Sequence, residues 1–166
     1  NRRYFERMME REMALSIRND ETISIILLDV DNFRAINEQY GHTGGDAVLR
    51  NVGRVITEHV RHSDVACRYG GDEVFILCRN ATISNAVGFP GDLLDAIFVD
   101  SFRPGGQDIA VTVSIGVATI PGVRPIATAQ EFFQCADEAL RVCKQRGRNS
   151  VLHYSMLDRN QKSGTH

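Results

Sequence analysis

A short glycine–acid stretch between two apolar runs constrains this chain more than any other feature. Asp64-Val65-Ala66-Cys67 precedes it, Val74-Phe75-Ile76-Leu77-Cys78 follows it, and between them stands Arg68-Tyr69-Gly70-Gly71-Asp72-Glu73. Strand-like runs on either side of Gly-Gly predict a β-hairpin over about 64–79. Glycine supplies the positive φ of a tight turn, or lets a backbone come close to a ligand. Asp72 and Glu73 then open a strand whose remainder is apolar. Successive strand residues face opposite sides, so with one face on a core the two acids are not both passive solvent-facing charges. An unpaired buried carboxylate is costly, so at least one should meet a cation or a donor. Taken alone, Gly-Gly-Asp reads as an ordinary turn with a solvated acid.

It is not alone. Ile25-Ile26-Leu27-Leu28-Asp29-Val30-Asp31 is an apolar strand that ends in two acids one residue apart. Acids at a buried strand end, facing a glycine turn with more acids, make a hard oxygen site suited to Mg²⁺ and a phosphate-bearing substrate. At this point the chain resembles the GGDEF family, the diguanylate cyclase domains that join two GTP into cyclic di-GMP. The matching pieces stand in family order. They are Asn1-Arg2-Arg3, Asp29-Val30-Asp31-Asn32-Phe33, Ile36-Asn37, Tyr40-Gly41-His42, Gly45-Asp46, Arg61 with Asp64, the hairpin, Thr112-Val113-Ser114-Ile115-Gly116, Ala136-Asp137 and Gly147-Arg148-Asn149. They cover residues 1–154, and the polar remainder, 155–166, reads as a frayed tail.

Length and composition fit that reading. A chain of 166 residues suits one domain with a sizeable core. The net charge of −2 implies no polyanion-binding surface, and no nucleic-acid partner is expected. No apolar run has bilayer-spanning length and no signal-peptide pattern is present, so no membrane contact by this domain is expected. Cys67, Cys78, Cys135 and Cys143 form no CxxC pair and read as reduced, which suits the cytoplasm. The chain opens on Asn1, so it reads as a domain excised from a longer protein with an upstream sensor, membrane-anchored or not.

Along the chain, residues 1–18 read as an amphipathic helix with Phe5, Met8, Met9, Met13 and Ile17 on its stripe, ended by Asn19-Asp20. Residues 23–29 form a central strand. A short helix over 32–40 stops at Gly41, and a Gly44-Gly45 break precedes a long helix over 46–59, capped by Asp46. The hairpin follows. Gly88, Pro90 and Gly91 predict a shortened, bent or broken helix within 83–100. Pro104-Gly105-Gly106 reads as a turn and 109–120 as a strand. A helix over 128–146 has Thr128 as N-cap, Phe132, Phe133, Ala136, Leu140 and Cys143 inside, and Gly147 at its C-terminal end. Residues 151–154 close the chain as a short strand. The fold class is an α/β (α+β) sandwich. The resemblance makes it a mixed central sheet ringed by helices, similar to nucleotidyl cyclase and polymerase palm domains, with the active site on the hairpin.

The chemistry implied by the resemblance is attack of a ribose 3′-hydroxyl on the α-phosphate of a second GTP, expelling pyrophosphate. Asp29, the Val30 main-chain carbonyl and Asp72 would hold Mg²⁺ or Mn²⁺. Asp72 is also the family's proposed proton acceptor, with Glu73 beside it among the catalytic acids, and Arg34 would supply charge to the phosphates. Asn37 and Asp46 match the family's guanine-reading pair, since an amide and a carboxylate fit guanine's edge. His42 borders that pocket, or is a structural histidine after Gly41. Gly70 and Gly71 would admit the nucleotide. Lys144 and Arg148 match phosphate-contacting positions, although cations at a helix C-terminus are also favourable by themselves. Arg61 and Asp64 match a product-binding inhibitory site, or form a surface pair worth little. Arg79 and Arg103 are candidate additions to it. One hairpin and one guanine pair imply half a catalyst per subunit, hence a homodimer.

Three departures stand out. Val74 replaces the signature's Phe, and Arg141-Val142-Cys143-Lys144 replaces the usual Tyr-x-Ala-Lys. Arg34 stands for the family's Lys, which changes a point charge into a fork. Glu138-Ala139-Leu140 spells the name of the partner phosphodiesterase family but lies mid-helix without that domain around it. Besides an active cyclase, two readings compete: a GGDEF-like module that binds GTP or cyclic di-GMP without turnover, and a mononucleotide cyclase.

Overall fold

The structure is a computed structural model that describes residues 2–99, 109–122 and 124–157. Its elements run α1 (Arg2–Asn19), β1 (Ile23–Val30), α2 (Phe33–His59), β2 (Val65–Arg68), β3 (Glu73–Arg79), α3 (Ile83–Val99), β4 (Val113–Ile120), α4 (Ala129–Gln145) and β5 (Ser150–His153), followed by a 3₁₀ turn over Tyr154–Met156. The strands form one sheet in the order β2-β3-β1-β4-β5. The β1–β3, β1–β4 and β2–β3 pairs are antiparallel and β4–β5 is parallel. This is the mixed sheet with helices on both faces that the sequence predicts.

β1 shows why. All eight of its residues are buried, as a continuous apolar run demands when both sheet faces are covered. Strand alternation then divides the core. Ile26, Leu28 and Val30 pack with Val48, Val52 and Val55 of α2 and with Leu93 and Ile97 of α3. Ile23, Ile25 and Leu27 pack on the other face with Phe5, Met9 and Met13 of α1 and with Phe132, Ala136 and Leu140 of α4. Glu12 lies in the buried stripe of α1 and is paired with Arg79 Nη2 at 2.7 Å, which pins α1 to the end of β3. Ile17, expected on that stripe, is 65% exposed.

A buried polar chain crosses the far end of the sheet. The Ser155 N–H donates to His153 Nδ1 (3.0 Å), so the ring proton is on Nε2 and donates to Thr119 Oγ1 (2.9 Å). Thr119 Oγ1 meets Ser24 Oγ at 2.7 Å, and Ser24 donates to the Ala81 carbonyl at 3.1 Å. Every hydroxyl in the chain is satisfied, and the chain links β5, β4 and β1 to the segment after β3.

Several boundaries correct the sequence expectations. The chain does break at Gly41 (φ +70°), but Gly44 and Gly45 are helical rather than a second break. Their missing side chains instead admit the neighbouring turn: a Cβ on Gly44 would lie 2.5 Å from Tyr40 Cβ. Asp46 is therefore inside the helix and does not cap it. α3 runs unbroken through Pro90, because Ala86, Leu93 and Ile97 are held in the core on both sides of the proline. β4 begins at Val113 instead of Ile109, which makes only an isolated bridge. The last strand ends at His153, and Phe133 is only half-buried.

The α4 termini match expectation. Thr128 Oγ1 accepts from Glu131 N, and after Gly147 (φ +112°) the Arg148 N–H closes back on the Cys143 carbonyl at 3.1 Å. All four cysteines are free. Among the described residues no helix is long and apolar enough to cross a membrane. The Pro104-Gly105-Gly106 turn, Arg103 and most of the tail lie outside the described residues.

Candidate active site

The hairpin forms where expected, but neither Gly70 nor Gly71 takes the positive φ that glycine can supply to a turn. Tyr69 N–H and Gly70 N–H both donate to the Glu73 carbonyl, at 2.9 and 3.4 Å. Arg68 reaches over the turn and donates from Nε to the Gly70 and Gly71 carbonyls, at 3.2 and 2.9 Å. A Cβ on Gly70 would lie 2.6 Å from Glu73 Oε2, so the Glu73 side chain fills the space beneath the turn and would have to swing aside for a larger residue there. The tip is then fastened to the central strand, since Val30 N–H donates to the Asp72 main-chain carbonyl at 3.3 Å.

That fastening brings Asp72 to Asp29. Asp29 pairs with Glu73 on one side and Ser114 on the other, and is 6% exposed. Its Oδ2 accepts from Lys144 Nζ, while its Oδ1 is buried and has no hydrogen-bond partner. Burial first, and the neighbouring Asp72 carboxyl second, push the Asp29 carboxyl up to about 7 against the opposing pull of Lys144. A second acid thus stands beside the Asp29–Lys144 pair. Asp31, one residue beyond Val30, is the opposite case. It accepts from Thr112 Oγ1 (2.8 Å), Ser114 Oγ (2.6 Å) and Asn149 N (3.0 Å), so the protein alone satisfies it.

The charge deficit and the orphaned Oδ1 of Asp29 fit a divalent cation. Among the described residues no cluster of three or more His, Cys, Asp or Glu gathers, so the remaining ligands would be main-chain oxygen, water or phosphate. That ligand set suits Mg²⁺, which takes one or two carboxylates and keeps waters and substrate phosphates.

Beside the hairpin a groove of about 480 Å³ runs along α2, bordered by Asp46, Arg50, Arg68, Gly71, Asp72 and Val74. Asn37 is half-buried across from Gly45, where any Cβ would collide with its Oδ1. The bare Gly45 thereby places Asn37 against the turn that carries Asp46. His42 is exposed just beyond the Gly41 kink. Arg34 lies on the outer face of α2, 93% exposed, with Nε 3.0 Å from Glu38 Oε1. Arg148 is exposed at the C-terminal end of α4, one turn from Lys144.

Arg61 and Asp64 are not brought into this site. They form a small turn of their own, with Arg61 N to Asp64 Oδ2 at 3.2 Å and Asp64 N to the Arg61 carbonyl at 3.0 Å. β2 separates them from the hairpin tip, roughly 13 Å for four extended residues. Asp64 Oδ1 is buried without a partner. Burial, with Asp64 behind it, pushes the nearby Cys78 thiol up to about 12. Sequence reasoning passed over Arg68 and Arg50. An Arg directly before Tyr-Gly-Gly could have marked the first as a clamp on the turn, whereas nothing in the pattern marks the second.

Comparison with known proteins gives the site its context. The family model described as "Diguanylate cyclase, GGDEF domain" matches residues 1–150. Diguanylate cyclase DosC of Escherichia coli K12 is 36% identical over 152 residues, covering 91% of this chain and 32% of DosC. Diguanylate cyclase A of Treponema denticola is 35% identical over 150 residues, covering 89% of this chain and 40% of that protein. The chain therefore spans about a third of the length of these relatives. The GGDEF domain of DgcB from Caulobacter crescentus, solved in complex with c-di-GMP, superposes with a TM-score of 0.86 at 29% identity, covering 93% of this chain and 90% of that one. The GGDEF domain of YfiN (TpbB) from Pseudomonas aeruginosa gives 0.87 at 28% identity, with 95% and 97% covered. With the family model matched over 150 of its 166 residues and the same fold in these solved relatives, the chain belongs to the GGDEF domain family of diguanylate cyclases.

Proposed function

We propose that this domain condenses two GTP into cyclic di-GMP with release of two pyrophosphates, as a homodimer in the cytoplasm, where GTP is held. The observation that carries the reading is the Asp29–Asp72 pair, two adjoining carboxylates with a single lysine on Asp29 and an unpartnered buried oxygen. Asp29, Asp72 and the Val30 carbonyl would hold Mg²⁺ or Mn²⁺, which when bound supplies neutralisation of phosphate charge.

The remaining work falls to side chains. Asp72 accepts the 3′-hydroxyl proton as the oxygen attacks the α-phosphate and the pyrophosphate leaves. Glu73 supports the turn that aims Asp72, and Gly70 and Gly71 let the nucleotide approach the backbone. Asn37 and Asp46 read guanine, Asp46 from the wall of the groove and Asn37 from across Gly45, with His42 at their border. Lys144 and Arg148 bind phosphates from the end of α4. Arg34 joins them after leaving Glu38, an exposed pair that is weak enough to give up. Arg61 and Asp64 take the product away from the catalytic site and restrain turnover. One hairpin per chain means that two subunits must face each other, so the rate should rise steeply with protein concentration.

The test is incubation of the dimeric protein with GTP and Mg²⁺ and identification of the product. Cyclic di-GMP upholds the proposal. Nucleotide binding without turnover would favour the non-catalytic module, to which the Val74 exchange and the outward Arg34 lend weight, and cyclic GMP would show a mononucleotide cyclase. Asp72→Ala should abolish turnover with the melting temperature preserved, since an acid at a turn serves chemistry more than packing. A collapse of stability together with activity would make Asp72 a structural acid.

A further inference from the structure

Lys144 stands out first by residue type. The chain has 19 lysines and arginines, and only two of them are lysine, Lys144 and Lys162. At the C-terminal turn of α4 a cation is favoured by the helix carbonyls alone. The Lys144 ammonium nevertheless turns inward to Asp29 Oδ2. It covers one oxygen of that acid and leaves the other buried and bare, with the Asp72 carboxyl alongside. An arginine here would grip the carboxylate with a two-pronged fork, whereas an ammonium on a flexible stem makes a single point contact and can leave. The side chain is 36% exposed, so it has an open path out of the pair.

Resting on the reading of Asp29 and Asp72 as metal ligands, we propose that Lys144 is a resident counter-ion that yields Asp29 to the divalent cation and passes to the triphosphate. One side chain would then couple metal binding to nucleotide binding. With no phosphate present, a metal ion arriving alone must displace an ammonium that has nowhere as good to go. A lysine that served phosphates alone would leave metal affinity untouched, so the two roles separate experimentally.

The probe is Mn²⁺ without nucleotide, followed by the electron paramagnetic resonance of the free ion, on wild type and Lys144→Met. Removing the competitor should tighten Mn²⁺ binding about fivefold, the scale of a partly exposed charge pair. Equal or weaker binding, including none by either protein, overturns the proposal. Asp29→Asn separates the underlying reading: it should lose Mn²⁺ binding, and if it binds like wild type the metal site itself is misassigned.

A second measurement needs no variant. Acetic anhydride at trace level labels Lys144 and Lys162, and mass spectrometry reads their ratio. Mn²⁺ alone should raise the relative labelling of Lys144 severalfold, and GTP added with the metal should lower it again. Labelling of Lys144 that does not respond to Mn²⁺ refutes the handover.

Discussion

Gly116 offers the sharpest test of how the fold positions the site. It lies in the middle of β4, opposite Leu27 of β1 and Leu152 of β5. A Cβ built there would fall 2.8 Å from Leu140 Cα and closer still to the Ala136 carbonyl and the Leu140 N–H. All three are backbone of α4, so no side-chain rotation relieves the contact. For Gly116→Ala the helix must withdraw, on the order of 1 Å to restore van der Waals distance, and a gap of that size forfeits a quarter to a half of each dispersion well along the interface. That interface includes Phe132 and the small, fully packed Ala136 and Ala139. Overpacking against a rigid partner belongs at the upper end of the usual range, about 3 kcal/mol. For a domain of this size that is a fall in melting temperature of about 6–12 °C.

Urea denaturation measures it, with the midpoint shifting at constant slope. Gly88→Ala is the control, because its added Cβ meets nothing within 4 Å on α3 and alanine is the better helix former by about 0.5–1 kcal/mol. The two substitutions are chemically identical and should have opposite signs. A loss under about 0.5 kcal/mol for Gly116→Ala would refute the claim that the helix backbone lies against this glycine. Activity should also fall in the variant at temperatures where it remains folded, because α4 carries Lys144.

Two further predictions follow. Burial holds the His153 imidazole below its ordinary value, so the unfolded chain takes up the proton first as pH falls. His153 therefore contributes stability that is complete above about pH 6.5 and is lost as pH falls below it toward the folded-state value. The urea midpoint should drop between pH 7.5 and 5.5 more in wild type than in His153→Gln, and equal slopes would remove His153 as the cause. Arg61→Ala should weaken cyclic di-GMP binding measured by calorimetry while initial turnover stays near wild type, and equal binding would return Arg61 and Asp64 to the status of an ordinary surface turn.

The legible parts of the chain are those where local chemistry and tertiary packing agree. β1 is apolar except for Ser24 and Asp29 and buried throughout, the glycine stretch between two apolar runs marks the hairpin, and α4 carries its own cap and stop signals. Misreading came where packing overrode a local signal. Gly88, Pro90 and Gly91 predict a break in α3, yet the stripe of Ala86, Leu93 and Ile97 lies on the sheet and holds the helix through the proline. Gly44 and Gly45 read as a break because glycine usually supplies flexibility. Here it supplies emptiness, which is visible only once Tyr40 and Asn37 stand opposite. In the site, the residue types were legible but their partners were not. Lys144 and Asp29 are 115 positions apart, and no periodicity connects a helix end to a strand end across that distance.

The two acids that bracket Val30 show how the site tolerates an oxygen without a partner. A buried carboxylate that lacks a donor would ordinarily shift until it found one, because leaving it unmet is costly. Asp31 prevents that. Its three donors come from the stretch leading into β4, from β4 itself and from the loop after α4, and they lock the end of β1 to β4 and to that loop. The Asp72 carbonyl fastens the hairpin tip to the same strand end at Val30. Asp29 is thereby held one residue before Val30 and two before Asp31, both of them fixed, with its Oδ1 facing no donor. The fully satisfied acid makes the frame rigid, and rigidity is what allows the neighbouring acid to remain short of positive charge. The deficit at Asp29 is thus a property the fold maintains, and it is that deficit which a divalent ion and its phosphates are suited to fill.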